Sequence, residues 1–304
     1  VVNPRHIEVQ ILADGAGNVV HLYERDCSLQ RRHQKVIEIA PAQNLDPAIR
    51  DRICADAVAF ARHIGYVNAG TVEFLLDERG EHVFIEMNPR IQVEHTVTEE
   101  VTGLDLVELS LRVARGEAGP PPGSNRGFAV QARVNSEGTG TLTRFQPPTG
   151  RGIRVDTHGY VGWEIGPRYD SLLAKVVGSG PSLEAAVARV ARALAEFDVD
   201  GAPVNIAQLQ TVLAHSDGTL TTTFVDDQVP DPEPAAVAGA VVSPLLGVVV
   251  AVSVGEGDLV AGDAELVVLE AMKMEHVVRS GRPGRVDNVA VKVGDTVALG
   301  APLV

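Results

Sequence analysis

Five polar side chains at alternate positions form the sequence run with the clearest chemical potential. The run extends from residue 84 to residue 95, and its polar members are Glu86, Asn88, Arg90, Gln92 and Glu94. Mostly apolar residues fill the positions between them, so an extended backbone would place the polar groups on one face. A solvated edge strand is the alternative interpretation. Such strands favour Thr, Lys and Ser over this mixture of carboxylates, amides and a guanidinium.

Two carboxylates and an amide oxygen suit a hard divalent cation, and magnesium commonly bridges such groups to nucleotide phosphates. Glu73 stands on the preceding strand of the same predicted hairpin, where it could lie beside Glu86. Arg90 and Gln92 would then face a planar anion, and Glu94 could act as a general base. The alternation predicts a shared face, whereas it assigns no role to a single residue.

A second run with chemical potential is Glu270-Ala-Met-Lys-Met-Glu-His, in which Lys273 lies between two methionines. Lysine is scarce in this chain, with four lysines against 22 arginines. A hairpin tip would present Lys273 to solvent, and a pair of exposed methionines beside it is unusual. An ordinary surface lysine in a turn is the alternative.

The sequence before residue 227 predicts a mixture of strands and helices. Hairpins are predicted from strands 5–12 and 19–23 and from strands 71–76 and 82–87, and further strands at 129–135, 153–155 and 172–177. Helices are predicted at 49–64, 102–115 and 182–196, with Asp46 capping the first and Ser182 the last.

The sequence after residue 226 predicts a linker and a small β-domain. Residues 227–240 carry three prolines and few large apolar side chains, which is typical of a semi-stiff linker. Residues 247–260 then resemble residues 284–297, at an offset of 37. Two similar halves with Gly-Asp turns predict a quasi-twofold β-sandwich. The predicted domains are 1–119, 120–226 and 241–304, with 227–240 as the linker.

Composition and charge disfavour several classes of protein. The net charge of −14 disfavours nucleic acid and anionic membranes as partners. No apolar run approaches the roughly 18 residues that a membrane-spanning helix needs, and no secretory signal is visible. Cys27 and Cys54 are too few for a disulfide framework or a zinc site, so we expect a reduced, cytoplasmic protein.

The polar run 84–95 resembles the biotin carboxylase members of the ATP-grasp family. Two further runs share the resemblance, Glu24-Arg-Asp-Cys-Ser-Leu-Gln-Arg-Arg-His-Gln-Lys-Val-Ile-Glu and Gly70-Thr-Val-Glu-Phe. It continues through Arg133-Val-Asn-Ser-Glu and Tyr169-Asp-Ser and covers residues 1–226. It implies an α+β fold, with a partial ATP-grasp core at 1–119 and the family's C-terminal subdomain at 120–226.

The resemblance also implies roles for individual residues. The family's residues matching Glu73, Glu86 and Asn88 bind magnesium or manganese with ATP, and those matching His6 and His33 lie near the nucleotide. Bicarbonate is held by the residues matching Lys35, Arg90, Gln92 and the Val93 backbone. The residue matching Glu94 removes the bicarbonate proton, so that the oxyanion attacks the γ-phosphate and forms carboxyphosphate. The residue matching Arg133 stabilises the biotin enolate that takes up CO₂.

Ala-Met-Lys-Met in a two-halved β-domain is similar to the biotinyl domain, a small flattened sandwich. This similarity implies biotin on Lys273, because the related lipoyl domains lack the paired methionines. We therefore expect biotin, ATP and Mg²⁺ or Mn²⁺ as cofactors. The expected partners are a carboxyltransferase subunit or domain, a biotin protein ligase and a second copy of the chain bound through the carboxylase part.

Two functions remain open at this point, besides a different ATP-grasp ligase with a lipoyl domain, which biotin rather than lipoate on Lys273 would exclude. One is a biotin carboxylase with a fused carrier, a ligase that serves an acyl-CoA (acetyl- or propionyl-type) carboxylase of fatty acid metabolism. The other is a carrier protein whose carboxylase-like region is non-catalytic. No glycine-rich lid precedes residue 70, so we expect an N-terminally incomplete carboxylase that cannot carboxylate biotin unaided. The carboxyl acceptor is left open, because the carboxyltransferase selects it.

Overall fold

A computed structural model describes residues 1–119, 124–166, 168–215, 220–229, 240–271 and 274–304. Most of the predicted linker and the residue predicted to carry biotin, Lys273, lie outside these ranges. No helix among the described residues is long and apolar enough to span a membrane.

An antiparallel sheet of eight strands, in the order β5-β4-β1-β2-β3-β6-β11-β9, organises the first 180 residues. The strands before the carrier-like region are β1 Arg5–Ala13, β2 Val19–Arg31, β3 Gln34–Ala40, β4 Asn68–Leu76, β5 His82–Asn88, β6 Phe128–Asn135, β7 Gly140–Thr141, β8 Arg144–Gln146, β9 Ile153–Thr157, β10 Glu164–Ile165, β11 Leu172–Gly180 and β12 Asp198–Asp200. Both predicted hairpins are confirmed, as β1–β2 and β4–β5. Strands from both sides of the predicted boundary between residues 119 and 120 belong to this one sheet, because β3 pairs with β6. The predicted domain boundary there remains a prediction.

The helices begin and end at the signals that the local sequence provides. They are α1 Pro47–His63, α2 His95–Thr102, α3 Leu106–Ala114, α4 Leu183–Glu196, α5 Ile206–His215 and α6 Phe224–Gln228. The Asp46 carboxylate caps α1 by accepting from Ala48 N at 2.8 Å, and Ser182 caps α4 by accepting from Ala185 N at 3.3 Å. Both predicted caps are confirmed.

The helix predicted at 102–115 is present as α3 but begins four residues later, at Leu106, and the separate helix α2 before it was not predicted. Gly103 ends α2 with φ 72°, a left-handed conformation that interrupts the helix at little steric cost. The Asp105 side chain then accepts from Glu108 N at 2.7 Å and starts α3. The break lets α2 lie across the sheet while α3 packs elsewhere, near β4.

Apolar clusters on two parts of the sheet hold the helices in place. On β1 and β4, Ile7, Val9 and Val72 pack against Ile53 and Ala57 of α1. On β3, β6 and β11 a second cluster packs against α4 and α5. A smaller cluster joins Val97 and Val101 of α2 to the other face of the same three strands. The sheet is therefore covered on both faces where α2 lies, and α2 begins immediately after the polar run.

Residues 241–304 form the predicted small β-domain. Its strands are β13 Gly247–Val252, β14 Leu259–Val260, β15 Glu265–Ala271, β16 Met274–Arg279, β17 Gly284–Arg285 and β18 Thr296–Val297. The strand pairing confirms the internal repeat. Gly247 in the first half pairs with Val297 in the second half, and the residues that match them in the repeat, Gly284 and Val260, also pair with each other. Gly257 and Gly294, at matching turns, take φ of 92° and 95°.

Candidate active site

A buried polar face runs along β1 and its neighbours. In β1, His6, Glu8 and Gln10 alternate with apolar residues that contact α1, so the polar members face away from that helix. Glu73 on β4 pairs directly with Glu8, and Arg25 on β2 reaches the same region. Ionisable groups are rarely buried unless they are paired, so this face carries charges that compensate one another.

Lys35 is the cation at the centre of this cluster. Its ammonium lies 2.6 Å from Glu8 Oε2, 2.7 Å from Glu94 Oε1 and 3.3 Å from Glu73 Oε1. Gln92 Nε2 donates to the same Glu73 oxygen at 2.8 Å. The structure therefore brings together four of the predicted site residues, Lys35, Glu73, Gln92 and Glu94, which come from two strands and the segment before α2.

Glu94 is held between two cations at the N-cap of α2. One carboxylate oxygen accepts from Lys35, and the other accepts from Arg133 on β6 at 3.0 Å. The Arg133 Nε atom donates to Glu38 at 2.5 Å, so this guanidinium is fixed from the opposite side as well. Only 2% of the surface of Glu94 is exposed, which restricts solvent around the predicted base.

The continuous extended run predicted at 84–95 is wrong in its second half. The strand β5 ends at Asn88, where Pro89 follows with a fixed φ and no donor for a strand ladder. Gln92 and Glu94 reach the cluster through the turn that leads into α2. Ile85 and Ile91, which stand between the polar residues of the run, are 41% and 36% exposed.

The predicted metal ligands lie side by side. The Asn88 amide sits between two carboxylates, with Nδ2 2.9 Å from Glu86 Oε1 and 3.0 Å from Glu73 Oε1. Rotation that exchanges the Nδ2 and Oδ1 positions of this amide would turn Oδ1 towards the two carboxylates. The three side chains would then offer the all-oxygen donor set that magnesium prefers. The residues present therefore fit a magnesium ion.

A second group of possible ligands fits a metal less well. Atoms of His6, Glu8 and Glu73 lie within 4.8 Å of one another. However, Glu8 is already paired with Arg25 and Lys35, while His6 bonds Glu73 at 2.6 Å and Gln30 at 2.8 Å. These partners neutralise the donors that a cation would need.

Three further predicted residues lie at the border of the cluster. Arg90 is exposed, and its guanidinium donates to Asn88 Oδ1 at 3.2 Å. The Val93 carbonyl accepts from Lys175 Nζ at 3.3 Å. His33 lies exposed at the β2–β3 turn, and within the described ranges no hydrogen bond joins its side chain to the cluster. Its predicted place near the nucleotide remains a prediction.

Burial and paired charge oppose each other in setting the pKa values of the cluster. Burial would raise the pKa of Glu8, but Arg25 and Lys35 outweigh it and lower that pKa to about 2. Burial is likewise outweighed at Glu73, where the His6 hydrogen bond and Lys35 lower the pKa to about 2. At Glu38 burial prevails over Arg133 and raises the pKa.

We expect the folded state to lose stability in acid because of Glu8 and Glu73. A carboxyl whose folded pKa lies near 2, below its ordinary 4.5, stabilises the fold above pH 4.5 and loses that contribution as the pH falls towards 2. The full loss, reached only below about pH 2, is about 3 kcal/mol for each carboxyl, so most but not all of it is expressed by pH 3; Glu38 partly opposes it. Urea unfolding between pH 7 and pH 3 measures the effect. Glu73→Gln should flatten the curve, and an unchanged curve would contradict the assignment.

The sequence analysis did not identify three charged residues of the cluster, Glu8, Arg25 and Glu38. Arg25 is fully buried and donates to Glu8, Gln10, Thr71, Thr98 and Gln92. The alternation of His6, Glu8 and Gln10 with apolar residues in β1 was a usable signal. The same alternation occurs in ordinary strands whose polar face is exposed, whereas in β1 both faces are buried.

Lys273 lies outside the described residues, whereas the strands on either side of it are described. Ala271, at the end of β15, pairs with Met274, at the start of β16, and Met274 is 43% exposed. The predicted hairpin is therefore confirmed as far as these two residues.

Three family models match successive parts of the chain. The ATP-binding domain of the carbamoyl-phosphate synthase L chain matches residues 1–120, and the biotin carboxylase C-terminal domain matches residues 131–227. A model described as biotin-requiring enzyme matches residues 239–304. The chain belongs to the biotin-dependent carboxylases. It joins a biotin carboxylase segment to a biotinyl domain, as the resemblance of its motifs indicated, and the α+β fold is confirmed.

Named relatives are similar at high identity. Human mitochondrial pyruvate carboxylase is 50% identical over 245 residues, which are 75% of this chain and 21% of that protein. Pyruvate carboxylase of Aspergillus niger is 48% identical over 255 residues, 78% of this chain and 21% of that protein. The chain thus spans about a fifth of the length of these curated relatives.

Solved structures agree with these sequence relatives. The biotin carboxylase domain of the Hydrogenobacter thermophilus 2-oxoglutarate carboxylase, solved as a dimer with MgADP, ADP and bicarbonate, is 42% identical with a TM-score of 0.73. That match covers 75% of this chain and 53% of the other. A single-chain long-chain acyl-CoA carboxylase is 42% identical with a TM-score of 0.72, over 100% of this chain and 34% of the other. The acyl-CoA type predicted for this chain is not confirmed, since pyruvate carboxylases are prominent among its relatives.

Proposed function

We propose that this chain contributes the ATP- and bicarbonate-dependent carboxylation of biotin, carried on its own Lys273, within a biotin-dependent carboxylase. The observation that supports this most directly is the position of Lys35, which lies within 3.3 Å of carboxylates of both Glu73 and Glu94. A single cation thus connects the proposed metal ligands to the proposed base, where two substrates must meet.

The metal and nucleotide side of the site consists of Glu73, Glu86 and Asn88, with His6 hydrogen-bonded to Glu73. These three residues would hold magnesium or manganese, whose charge offsets that of the ATP phosphates. Phosphoryl transfer depends mainly on positioning and charge neutralisation, so a rigid set of carboxylates beside fixed cations suits it. Buried partners on β1 and β2 supply that rigidity here.

The bicarbonate side of the site consists of Lys35, Arg90, Gln92 and the Val93 backbone. Arg90 offers a planar fork for the planar anion, and Lys35 offers a point charge. Glu94 accepts the proton of the bicarbonate hydroxyl, and that oxygen attacks the γ-phosphorus of ATP. The bond to ADP breaks and carboxyphosphate forms. Glu94 must exchange part of its pairing with Lys35 and Arg133 for the substrate as this happens.

Arg133 is the residue that we assign to the second step, in which biotin accepts the carboxyl group. Biotin, when present, supplies the ureido nitrogen that accepts the carboxyl group. Arg133 is held by Glu38 and Glu94 on neighbouring elements, which fixes its positive charge beside the proposed base. Electrostatic stabilisation by a preoriented cation requires little reorganisation during the reaction.

The decisive experiment measures bicarbonate-dependent ATP cleavage with free biotin, in the full-length protein that contains these 304 residues. Cleavage that requires both biotin and bicarbonate supports the carboxylase. Its absence, with biotin still attached to Lys273, would favour the alternative of a carrier with a non-catalytic carboxylase-like region.

Lys273→Arg should abolish biotin attachment in cells that express a biotin protein ligase. The reason is that the arginine side chain lacks the primary amine that forms the amide. Intact-mass spectrometry and a streptavidin blot measure the modification, with Lys292→Arg as the control in the same domain. Biotin retained on Lys273→Arg, or lipoate found on the unsubstituted lysine, would contradict the proposed carrier role.

The acceptor, the partners and the location complete the proposal. A carboxyltransferase domain or subunit receives the carboxyl group, and the acceptor is a 2-oxo acid such as pyruvate or an acyl-CoA of the acetyl or propionyl type. Transfer from the carboxylated full-length protein to each of these acceptors, measured with labelled bicarbonate, decides between them. Sedimentation of the same protein tests self-association through the carboxylase part, and fractionation tests the predicted cytoplasmic location.

A further inference from the structure

Two backbone carbonyls of the turn that carries the proposed bicarbonate ligands accept hydrogen bonds from side chains outside the turn. The turn comprises residues 89–94, between β5 and α2. The Gln92 carbonyl accepts from His95 Nδ1 at 2.7 Å, which is a local contact. The Val93 carbonyl accepts from Lys175 Nζ at 3.3 Å, across 82 residues of sequence. Of these two carbonyl contacts, only the second reaches a distant strand. The Gln92 and Glu94 side chains make the turn's other contacts with β2, β3, β4 and β6.

Lys175 stands on β11 in the same row as two other charged residues. It pairs across the strands with Arg133 on one side and with Asp156 on the other. Residues paired in this way point to the same face of a sheet. Its ammonium lies 3.2 Å from Asp156 Oδ2, and its side chain is 13% exposed. The lysine therefore flanks the proposed active site one strand beyond Arg133.

A chain of ion pairs connects Lys175 to the helix that follows the turn. The Asp156 carboxylate accepts from Nε and Nη2 on one edge of the Arg154 guanidinium, at 2.9 and 3.0 Å. The same arginine donates to Glu99 Oε2 at 2.7 Å, and Glu99 lies on α2. The Glu99 carboxylate also accepts from Leu106 N at 2.8 Å. Side-chain contacts thus connect the turn to β11, β11 to β9, and β9 to α2, the helix that directly follows the turn.

We propose that Lys175 is a positioning residue for bicarbonate activation, acting through the peptide unit between Val93 and Glu94. This inference rests on the proposed function and extends it. The peptide unit is planar, so a fixed Val93 carbonyl also fixes the Glu94 amide and the start of the Glu94 side chain. Without Lys175, the peptide unit between Val93 and Glu94 loses its connection to β11 and is less firmly oriented towards the anion, while Lys35 and Arg133 still contact the Glu94 carboxylate. The ligands on β4 and β5 keep theirs, because strand pairing holds them.

The test compares Lys175→Met, Lys175→Arg and the control Lys292→Met, an exposed lysine of the biotinyl domain. In the full-length protein, Lys175→Met should lower kcat/KM for bicarbonate by about tenfold or more. The KM for ATP should change less than about twofold, because its ligands are held elsewhere. Lys175→Arg should recover most of the loss, and Lys292→Met should change neither value.

Hydrogen exchange supplies a readout that is independent of turnover. The amides of residues 94–97 should exchange faster in Lys175→Met than in the unsubstituted protein, and they should not do so in Lys292→Met. Unchanged exchange, or equal losses for bicarbonate and ATP that arginine fails to restore, would overturn the positioning role. If the unsubstituted protein shows no biotin-dependent ATP cleavage, the proposed function fails, and the exchange data alone decide whether Lys175 orders the turn.

Discussion

Glu94→Gln is expected to lower biotin- and bicarbonate-dependent ATP cleavage by about 10²- to 10⁴-fold, the range in which general-base catalysis contributes. The amide is nearly the same size as the carboxylate but cannot accept the bicarbonate proton. It also leaves Lys35 and Arg133 without the charge that lies between them, at 2.7 and 3.0 Å. Steady-state measurement of ADP release, with saturating ATP and varied bicarbonate, gives the effect on kcat and on kcat/KM.

Glu78→Gln is the matched control, because Glu78 is exposed in the β4–β5 turn. It should leave both constants unchanged. Glu94→Gln should also leave biotin attachment intact, since Lys273 belongs to a domain with its own core. If Glu94→Gln retains more than about a tenth of the activity, Glu94 is not the base, since general-base catalysis contributes more than that.

Arg25→Met is expected to lower the free energy of unfolding by about 3–5 kcal/mol, as happens when one partner of a buried ion pair is removed. Arg25 has no exposed surface and bonds five side chains of the cluster. Methionine fills much of the volume but leaves the buried Glu8 carboxylate with Lys35 as its remaining cation. Urea denaturation at neutral pH, followed by circular dichroism, measures the change.

Arg144→Met provides the comparison, because Arg144 is an arginine on a strand, β8, that forms an exposed ion pair. Its side chain is 60% exposed and pairs with Asp198 at 2.8 Å. Exposed ion pairs contribute less than about 1 kcal/mol, so this substitution should scarcely move the denaturation midpoint. Equal effects of the two substitutions would show that the buried cluster does not depend on Arg25.

The sequence named several residues that the structure brings together in one polar cluster, but it did not predict how the cluster is assembled. The alternation along β5 correctly placed Glu86 and Asn88 beside Glu73, because strand geometry is local. The same pattern misplaced the backbone after Pro89, where a turn takes over. Gln92 and Glu94 nevertheless reach the cluster. Their roles had been inferred from the family resemblance, and periodicity alone did not supply them.

The residues that were missed have partners far away in the chain. Glu8 meets Arg25 and Lys35 across 17 and 27 residues, and Glu94 meets Arg133 across 39. Nothing in the local sequence of any of these residues identifies its partner. The contacts depend on the strand order β1-β2-β3-β6, which sets which charges become neighbours.

The sequence by itself determined the features that depend on short-range physics. The caps at Asp46 and Ser182, the two hairpins and the repeat within residues 241–304 all follow from backbone geometry over a few residues or from direct repetition. Only the tertiary structure decided which cation neutralises which carboxylate, and that Lys175 reaches the turn before α2. The physical reason is that a buried charge is stable only beside its partner, and chain topology, rather than spacing in sequence, brings the two together.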